Sequence, residues 1–372
     1  MFLPLDLYCS FFTTEDTESF MRILVTGGIG NVGRVAVARL LRHGHAVRIL
    51  DRVAPEAIEE QHWETIKGAE YHQADTTDYA VLAPLFEGMD AVVHLAAYTS
   101  PHPAPAHEIF RVNCGGTFNV YQAAANAGIK RVVSASSINA LGYNFGIKGF
   151  PIHYFPIDEE HPTFTTDIYS FSKGMLEETA AYFWRRENIS GVCLRFPGVM
   201  NPDLRWGNWI KFFREGARKA FEALLALPPE KREPRLRAIV EREEARRAER
   251  FHEWRPGGTG RWMRDWIEGP RLPEELLIWG RTDFWAIIHV EDVAQAIEKG
   301  LTAEYEGSHP LFISDKYNAL GVPSQKLAEF FFPQVTTWKY PVEGCETLVS
   351  YARAQALIGF EPEYPALERS NV

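Results

Sequence analysis

The chain has 372 residues, 46% hydrophobic and 24% charged. That balance fits a globular protein of two or three domains and excludes a wholly disordered chain. Its net charge of −10 argues against nucleic-acid binding, which rests on neutralising phosphates with Lys and Arg. The four cysteines, Cys9, Cys114, Cys193 and Cys345, form no C-x-x-C pair. A disulfide framework and a zinc site are therefore disfavoured, no metal is expected, and a reducing cytoplasm fits. No apolar run reaches the ~18 residues of a membrane span. Residues 1–20 are apolar at the start but carry Asp6 and no basic residue before it. They read as an N-terminal extension rather than a signal peptide.

From Met21 to about residue 200 strand and helix patterns alternate. Arg22–Thr26 (RILVT) is a short β-branched run suited to a strand buried on both faces. A glycine-rich turn follows, then a helix from Asn31 to about Arg42, which Gly44 ends. Further strands are expected at 46–51, 70–74, 90–96, 131–135 and 191–196. Helices are expected at 79–86, 106–127 and 168–186. This alternation predicts an α/β fold, a doubly wound parallel sheet covered on both faces. After Asn201 the texture changes. Residues 211–280 hold 16 Lys/Arg against 13 Asp/Glu, and seven of the ten tryptophans fall between Trp206 and Trp285. We read 203–285 as a largely helical insertion, either a solvated flap or dimer contact, or a lid over substrate. The sheet pattern resumes from 286 with a helix at 290–301, a strand at 311–314 and a helix at 324–331. The expected division is 1–20, 21–202, 203–285 and 286–372.

Thr26–Gly33 reads TGGIGNVG. Between a strand and a helix, glycines allow a tight turn and a close backbone approach to a pyrophosphate. The helix start then presents free N–H groups to that anion. Asp51 ends strand two, 18 residues past Gly33. A carboxylate there accepts from adenosine ribose hydroxyls and repels a 2′-phosphate, which favours NAD. Arg52 beside it leaves NADP open. Asp75 is placed for the adenine edge or as a turn aspartate.

Tyr169-Ser170-Phe171-Ser172-Lys173 puts Tyr and Lys at i and i+4 on one helix face. A phenol titrates near ~10 and is a poor acid/base at neutral pH. A cation ~4 Å away is worth about 4 kcal/mol at an effective dielectric near 20, enough to bring Tyr169 towards neutrality. Ser136 and Ser137 follow strand five at the carboxyl edge, where doubly wound folds bind ligands.

Taken together, TGGIGNVG, Asp51, HLAA at 94–97, Asn113, SSINALG at 136–142 and YSFSK resemble the extended short-chain dehydrogenase/reductases, the NAD-dependent epimerase/dehydratase family. The resemblance covers about 21–200 and returns at 287–365 through IHVEDVAQAI and LIGFEPEY. It implies that Gly27, Gly30, Asn31, Val32 and Gly33 line the pyrophosphate, and that Asp51 and Arg52 lie at the ribose. It implies Asp75 at the adenine and Leu95, Ala96 and Ala97 beneath the nucleotide. Pro197, Gly198 and Val199 would pass the nicotinamide. Lys173 would hold the nicotinamide ribose and tune Tyr169, the acid/base. Ser137 would polarise the reacting C–O group, and Asn113 would shape the site. The helices carrying Asn113 and Tyr169 commonly pair across a dimer axis in such enzymes, so a homodimer is expected.

The departures bear on substrate. Dehydratases of the family carry an Asp-Glu pair where this chain has Ile138-Asn139. Nucleotide-sugar epimerases have an Arg where it has Trp285, with Arg281 or Arg205 as possible substitutes. Asn139, Arg205, Trp206 and Trp209 are candidates for the substrate wall. The expected reaction is NAD-dependent hydride transfer to or from a sugar, sugar acid or polyol. The alternatives are an epimerase that retains NAD and a non-catalytic NAD sensor. His102 and His107 read as loop residues, His289 as structural or substrate-facing, and Asp158-Glu159-Glu160 as a solvated loop.

Overall fold

The computed structural model describes residues 20–202, 206–256 and 273–366. Its frame is a seven-stranded sheet, all parallel, in the order β3-β2-β1-β4-β5-β6-β9. The strands are β1 (Arg22–Thr26), β2 (Ala46–Asp51), β3 (Glu70–Gln73), β4 (Ala91–His94), β5 (Arg131–Ser137), β6 (Ser190–Phe196) and β9 (Ser308–Phe312). Central strands buried on both faces need unbroken apolar runs, and β1, β4 and β6 supply them. Apart from Arg22, every residue of β1 and β4 is buried, as is all of β6.

Helices cover both faces. On one, α1 (Asn31–Arg42) packs against α10 (Val290–Thr302). Arg39 and His43 at the end of α1 reach the buried Glu298 of α10. On the other lie α5 (Gly116–Asn126) and the long α6 (Ile168–Glu187). Asp167 caps α6 by accepting from the Ser170 amide at 2.9 Å, and Asn188 ends it in the left-handed conformation. The crossover from β4 to α5 is not one continuous helix. Helix α4 (Ala106–Phe110) passes through a π-helical turn at Arg111–Gly115, which holds Asn113. The smaller helices are α2 (Glu60–Thr65) and α3 (Tyr79–Leu82).

Beyond β6, a two-stranded parallel pair forms from β7 (Gly198–Met200) and β8 (Ile287–His289). Helices α7 (Trp206–Ala226), α8 (Pro229–Ala248) and α9 (Pro273–Arg281) lie between these two strands. The inner face of α8 is a stripe of Leu236, Ile239, Glu243 and Arg247, at helical spacing. With Ala217, Phe221 and Leu224 of α7, its apolar members join a second core of Tyr143, Phe155, Phe284, Trp285 and Phe332. The solvated-flap reading of 203–285 is thus corrected, because the described helices bury an apolar face. The chain closes with α11 (Ser324–Phe331) and α12 (Ala352–Ile358). No described helix is long and apolar enough to cross a membrane.

Candidate active site

A cleft of about 700 Å³ runs along the carboxyl ends of β1, β2, β4, β5 and β6. At one end lies the glycine turn. Gly27 has φ +72°, and a Cβ there would lie 2.8 Å from the Ala96 amide nitrogen. A Cβ on Gly33 would fall 2.3 Å from the Gly27 carbonyl oxygen. Only glycine lets the chain double back this tightly. Helix α1 then begins at Gly30 with no side chain capping its first amides, so those N–H groups and the positive helix end face the cleft. Asp51 is almost fully buried and bridges two loops, accepting from Ile29 N at 3.1 Å and Val53 N at 3.2 Å. Each of its oxygens keeps a lone pair for a ligand hydroxyl. These features fit a dinucleotide: an anion-binding helix start, a cradle that a Cβ would fill, and a carboxylate one strand away. Asn31, Val32, Arg52, Leu95, Ala96, Ala97, Pro197, Gly198 and Val199 line the same cleft. So does Asp75, whose carboxylate also accepts from the Thr77 amide and hydroxyl, both at 2.8 Å.

At the other end, both Ser136 and Ser137 of β5 line the cleft. Ser136 donates to Glu177 Oε1 at 2.6 Å, which ties its hydroxyl to α6. The Ser137 hydroxyl accepts from the Asn139 amide and side chain, both at 3.1 Å. It donates to the Phe196 carbonyl at 3.4 Å, and the Tyr169 phenol lines the cleft beside it. Tyr169 and Lys173 share one face of α6, with Nζ 5.7 Å from the phenol ring centre. The ammonium donates to the Ala135 carbonyl at 2.7 Å.

The electrostatics correct one expectation. Burial pushes the Tyr169 phenol up to about 12, against a downward pull from Ser137, and Lys173 is not among the groups that move it. Burial likewise pushes Lys173 down to about 8. Both groups are shielded from water, and desolvation outweighs the attraction expected at helical spacing.

Asn113 stands behind the cleft wall rather than in it. Its amide clamps the Tyr98 backbone through two hydrogen bonds, at 2.8 and 3.0 Å, and donates to Ser172 Oγ at 3.0 Å. It thereby ties the Tyr98 segment to α6. Arg281 does not face the cleft. It is buried over the rings of Tyr143 and Phe332, near the Phe331 carbonyl and Glu244, which removes it as an anion grip. Trp285 is a core residue donating to the Leu277 carbonyl. His289 caps α10 and stacks on Tyr364. Glu159 is not solvated, since it is half-buried and accepts from the Phe312 amide at 2.7 Å, and Asp158 is held by Tyr154 and Lys339. Arg205 lies outside the described residues, as do the side chains of Trp206 and Trp209. Asn144, Phe145 and Asp283 also line the cleft, and the sequence reading named none of them. Phe145 meets Tyr169 edge-on at 5.7 Å.

Fold and cleft together define a dinucleotide-binding α/β protein with a Ser-Tyr-Lys group at the end of the cleft away from the glycine turn. A family model described as "NAD dependent epimerase/dehydratase family" matches residues 23–208. The chain belongs to that family, which is of the extended short-chain dehydrogenase/reductase type. It is similar to the uronate dehydrogenase of Pseudomonas putida, 30% identical over 189 residues, which are 50% of this chain and 65% of that one. It is also similar to the L-arabinose 1-dehydrogenase (NAD(P)(+)) of Haloferax volcanii, 41% identical over 117 residues, 31% of this chain and 41% of that one. In both matches the chain spans less than two thirds of the relative's length. Among solved structures, UDP-glucose 4-epimerase with UDP-glucose from Thermotoga maritima matches with a TM-score of 0.57 at 18% identity, covering 93% of this chain and 94% of that one. That likeness is one of fold.

Proposed function

We propose that the chain is an NAD-dependent oxidoreductase acting on the alcohol or carbonyl carbon of a sugar, sugar acid or related polyol. The observation that carries this reading is that Ser137, Tyr169 and Lys173 line the same cleft as the glycine turn and Asp51. Both similar dehydrogenases named above bear sugar or sugar-acid names. NAD, when bound, supplies the hydride acceptor or donor. Gly27, Gly30 and the first turn of α1 would hold its pyrophosphate, and Asp51 a ribose. Ser137 holds the substrate oxygen by hydrogen bonding. Tyr169, as the phenolate, takes the hydroxyl proton during oxidation and, as the phenol, returns it during reduction. Lys173, tethered to the Ala135 carbonyl, would hold the hydroxyls of the nicotinamide ribose.

We also read the chain as a cytoplasmic homodimer. Phe110, Phe118, Phe171 and Tyr182 are exposed on α4, α5 and α6, where Phe110 stacks on Phe171 and Phe118 on Tyr182. The segment 203–285 is read as a lid, because α8 fixes the Asn144 carbonyl through Arg247 at 3.3 Å, next to the cleft residue Phe145.

A panel of sugars, sugar acids, polyols and nucleotide sugars, each with NAD and with NADP, tests the reading. Reduced nicotinamide should accumulate with at least one sugar-type alcohol and preferentially with NAD. Tightly retained NAD with interconversion of sugars and no net reduction would replace it with the epimerase reading.

A further inference from the structure

Asp283 sits in the turn between α9 and β8 and lines the cleft, 8% exposed. Its position along the cleft is set by its neighbours. Thr282 donates to Asn144 Oδ1 at 2.8 Å, and Phe145, next along the chain, packs on Tyr169. Asp283 therefore belongs to the Tyr169 end, not the glycine end.

The turn that presents it is strained. Phe284 (φ +59°) and Trp285 (φ +53°) both adopt the left-handed conformation, which costs bulky residues of order 1–3 kcal/mol each. The core overrides that cost. Both rings are buried, the Trp285 amide donates to the Gly280 carbonyl at 2.7 Å, and its indole donates to the Leu277 carbonyl. The outcome is that two aromatic side chains point into the second core while the acid before them faces the cleft. One Asp283 oxygen accepts from the Trp285 amide at 3.1 Å, and among the described residues no cation pairs with either oxygen. Lys173, at the same end, is tied to a backbone carbonyl. Burial holds the Asp283 carboxyl well above the usual carboxylate range.

A carboxyl in this setting suits hydroxyls and opposes anions. Ionised, it accepts from a hydroxyl and repels a negative charge. Protonated, it donates to a hydroxyl, whereas a buried anion alongside gains that one hydrogen bond but no countercharge from it to offset lost hydration. We propose that Asp283 is a specificity residue that hydrogen-bonds a hydroxyl of an uncharged polyhydroxy substrate, an aldose or polyol, and disfavours sugar acids and diphosphate-linked sugars. This rests on the oxidoreductase reading and deepens it.

Matched substrate pairs test it: D-galactose against D-galacturonate, and D-glucose against D-glucuronate, each pair differing in a terminal CH2OH against a carboxylate. Steady-state kcat/KM is measured for wild type, Asp283→Asn and Asp283→Ala with saturating NAD. The wild type should favour the neutral member. Asp283→Asn keeps the side-chain shape and removes the acid, so the neutral-to-acid ratio should fall about tenfold or more. Asp283→Ala should lower the ratio too, its loss on the neutral sugar falling mainly in KM. Faster wild-type turnover of the uronate, or a ratio that neither variant moves, would overturn the assignment while leaving the oxidoreductase reading intact. If the wild type reduces NAD with neither member of any pair, nor with any other sugar or polyol, the oxidoreductase reading fails and this inference falls with it.

Discussion

Lys173 donates from Nζ to the Ala135 carbonyl oxygen at 2.7 Å, which ties the second turn of α6 to the end of β5. Those two elements carry Tyr169 and Ser137, so one hydrogen bond fixes the spacing of all three groups. The ammonium is buried to do this, and its pKa falls to about 8.

That burial makes a stability prediction with a definite sign. The folded-state value of about 8 lies below the ordinary 10.5. Below about pH 8 both states are protonated, and the fold bears the full desolvation cost, on the order of 3 kcal/mol. Between the two values the unfolded chain binds more protons, so wild-type stability rises with pH. Lys173→Met removes the cost. In protein stripped of nucleotide, the variant should melt above wild type at pH 7, and the gap should close as pH approaches 10.5. Thermal melts across that range check it, and a gap that stays constant with pH would contradict it.

The glycine turn predicts a binding defect. In Gly33→Ala the new Cβ would meet the Gly27 carbonyl at 2.3 Å, so the turn must open and the amides at the start of α1 must shift. NADH affinity, followed by fluorescence titration, should fall at least about tenfold, matching the loss of one or two charge-assisted hydrogen bonds. Unchanged affinity would mean that nucleotide binds elsewhere.

Behind the site, Arg195 grips Glu177 at 2.9 and 2.8 Å, with both side chains largely buried, and Glu177 also accepts from Ser136. Removing one partner strands the other charge. Arg195→Met should destabilise the protein by about 3–5 kcal/mol. Glu177→Gln, which keeps an acceptor for both neighbours, should cost less. Denaturant unfolding of the two variants measures the difference.

The exposed rings on α4, α5 and α6 predict an association defect. Phe118→Asp combined with Phe171→Asp should convert a dimer into a monomer, because charge at the centre of an apolar interface is not compensated. Light scattering after size-exclusion chromatography reads the mass directly. A wild type that is already monomeric would remove the dimer proposal.

The sequence exposed those parts of the site whose signal is local. The turn Thr26–Gly33 declares itself because glycine is required where a strand bends into a helix. Tyr169 and Lys173 are visible at helical spacing. The alternation through β6 follows from unbroken apolar strands separated by amphipathic segments. What escaped depends on distant contacts. Asp283 enters the cleft because a left-handed pair at Phe284 and Trp285 is pinned by residues as distant as Phe332, and no periodicity marks such a turn. Arg281 looked available in the sequence, yet the ring faces of Tyr143 and Phe332 absorb it. The strand at Ser308–Phe312 begins three residues ahead of its apolar signal, because pairing with Gly191 and Val192 recruits the polar Ser308 and His309. Helical spacing alone placed Lys173 near Tyr169 but could not show that burial, rather than mutual attraction, governs both groups.

The central claim is that Tyr169 moves the proton while NAD exchanges hydride with a sugar-type alcohol. Its most direct measurement is the rate of NAD reduction by wild type and by Tyr169→Phe on the best substrate, with NADH binding measured on both. The account predicts a fall of about 10²–10⁴ in kcat for the variant, with nucleotide affinity within a few-fold of wild type. A variant that turns over at the wild-type rate would contradict it.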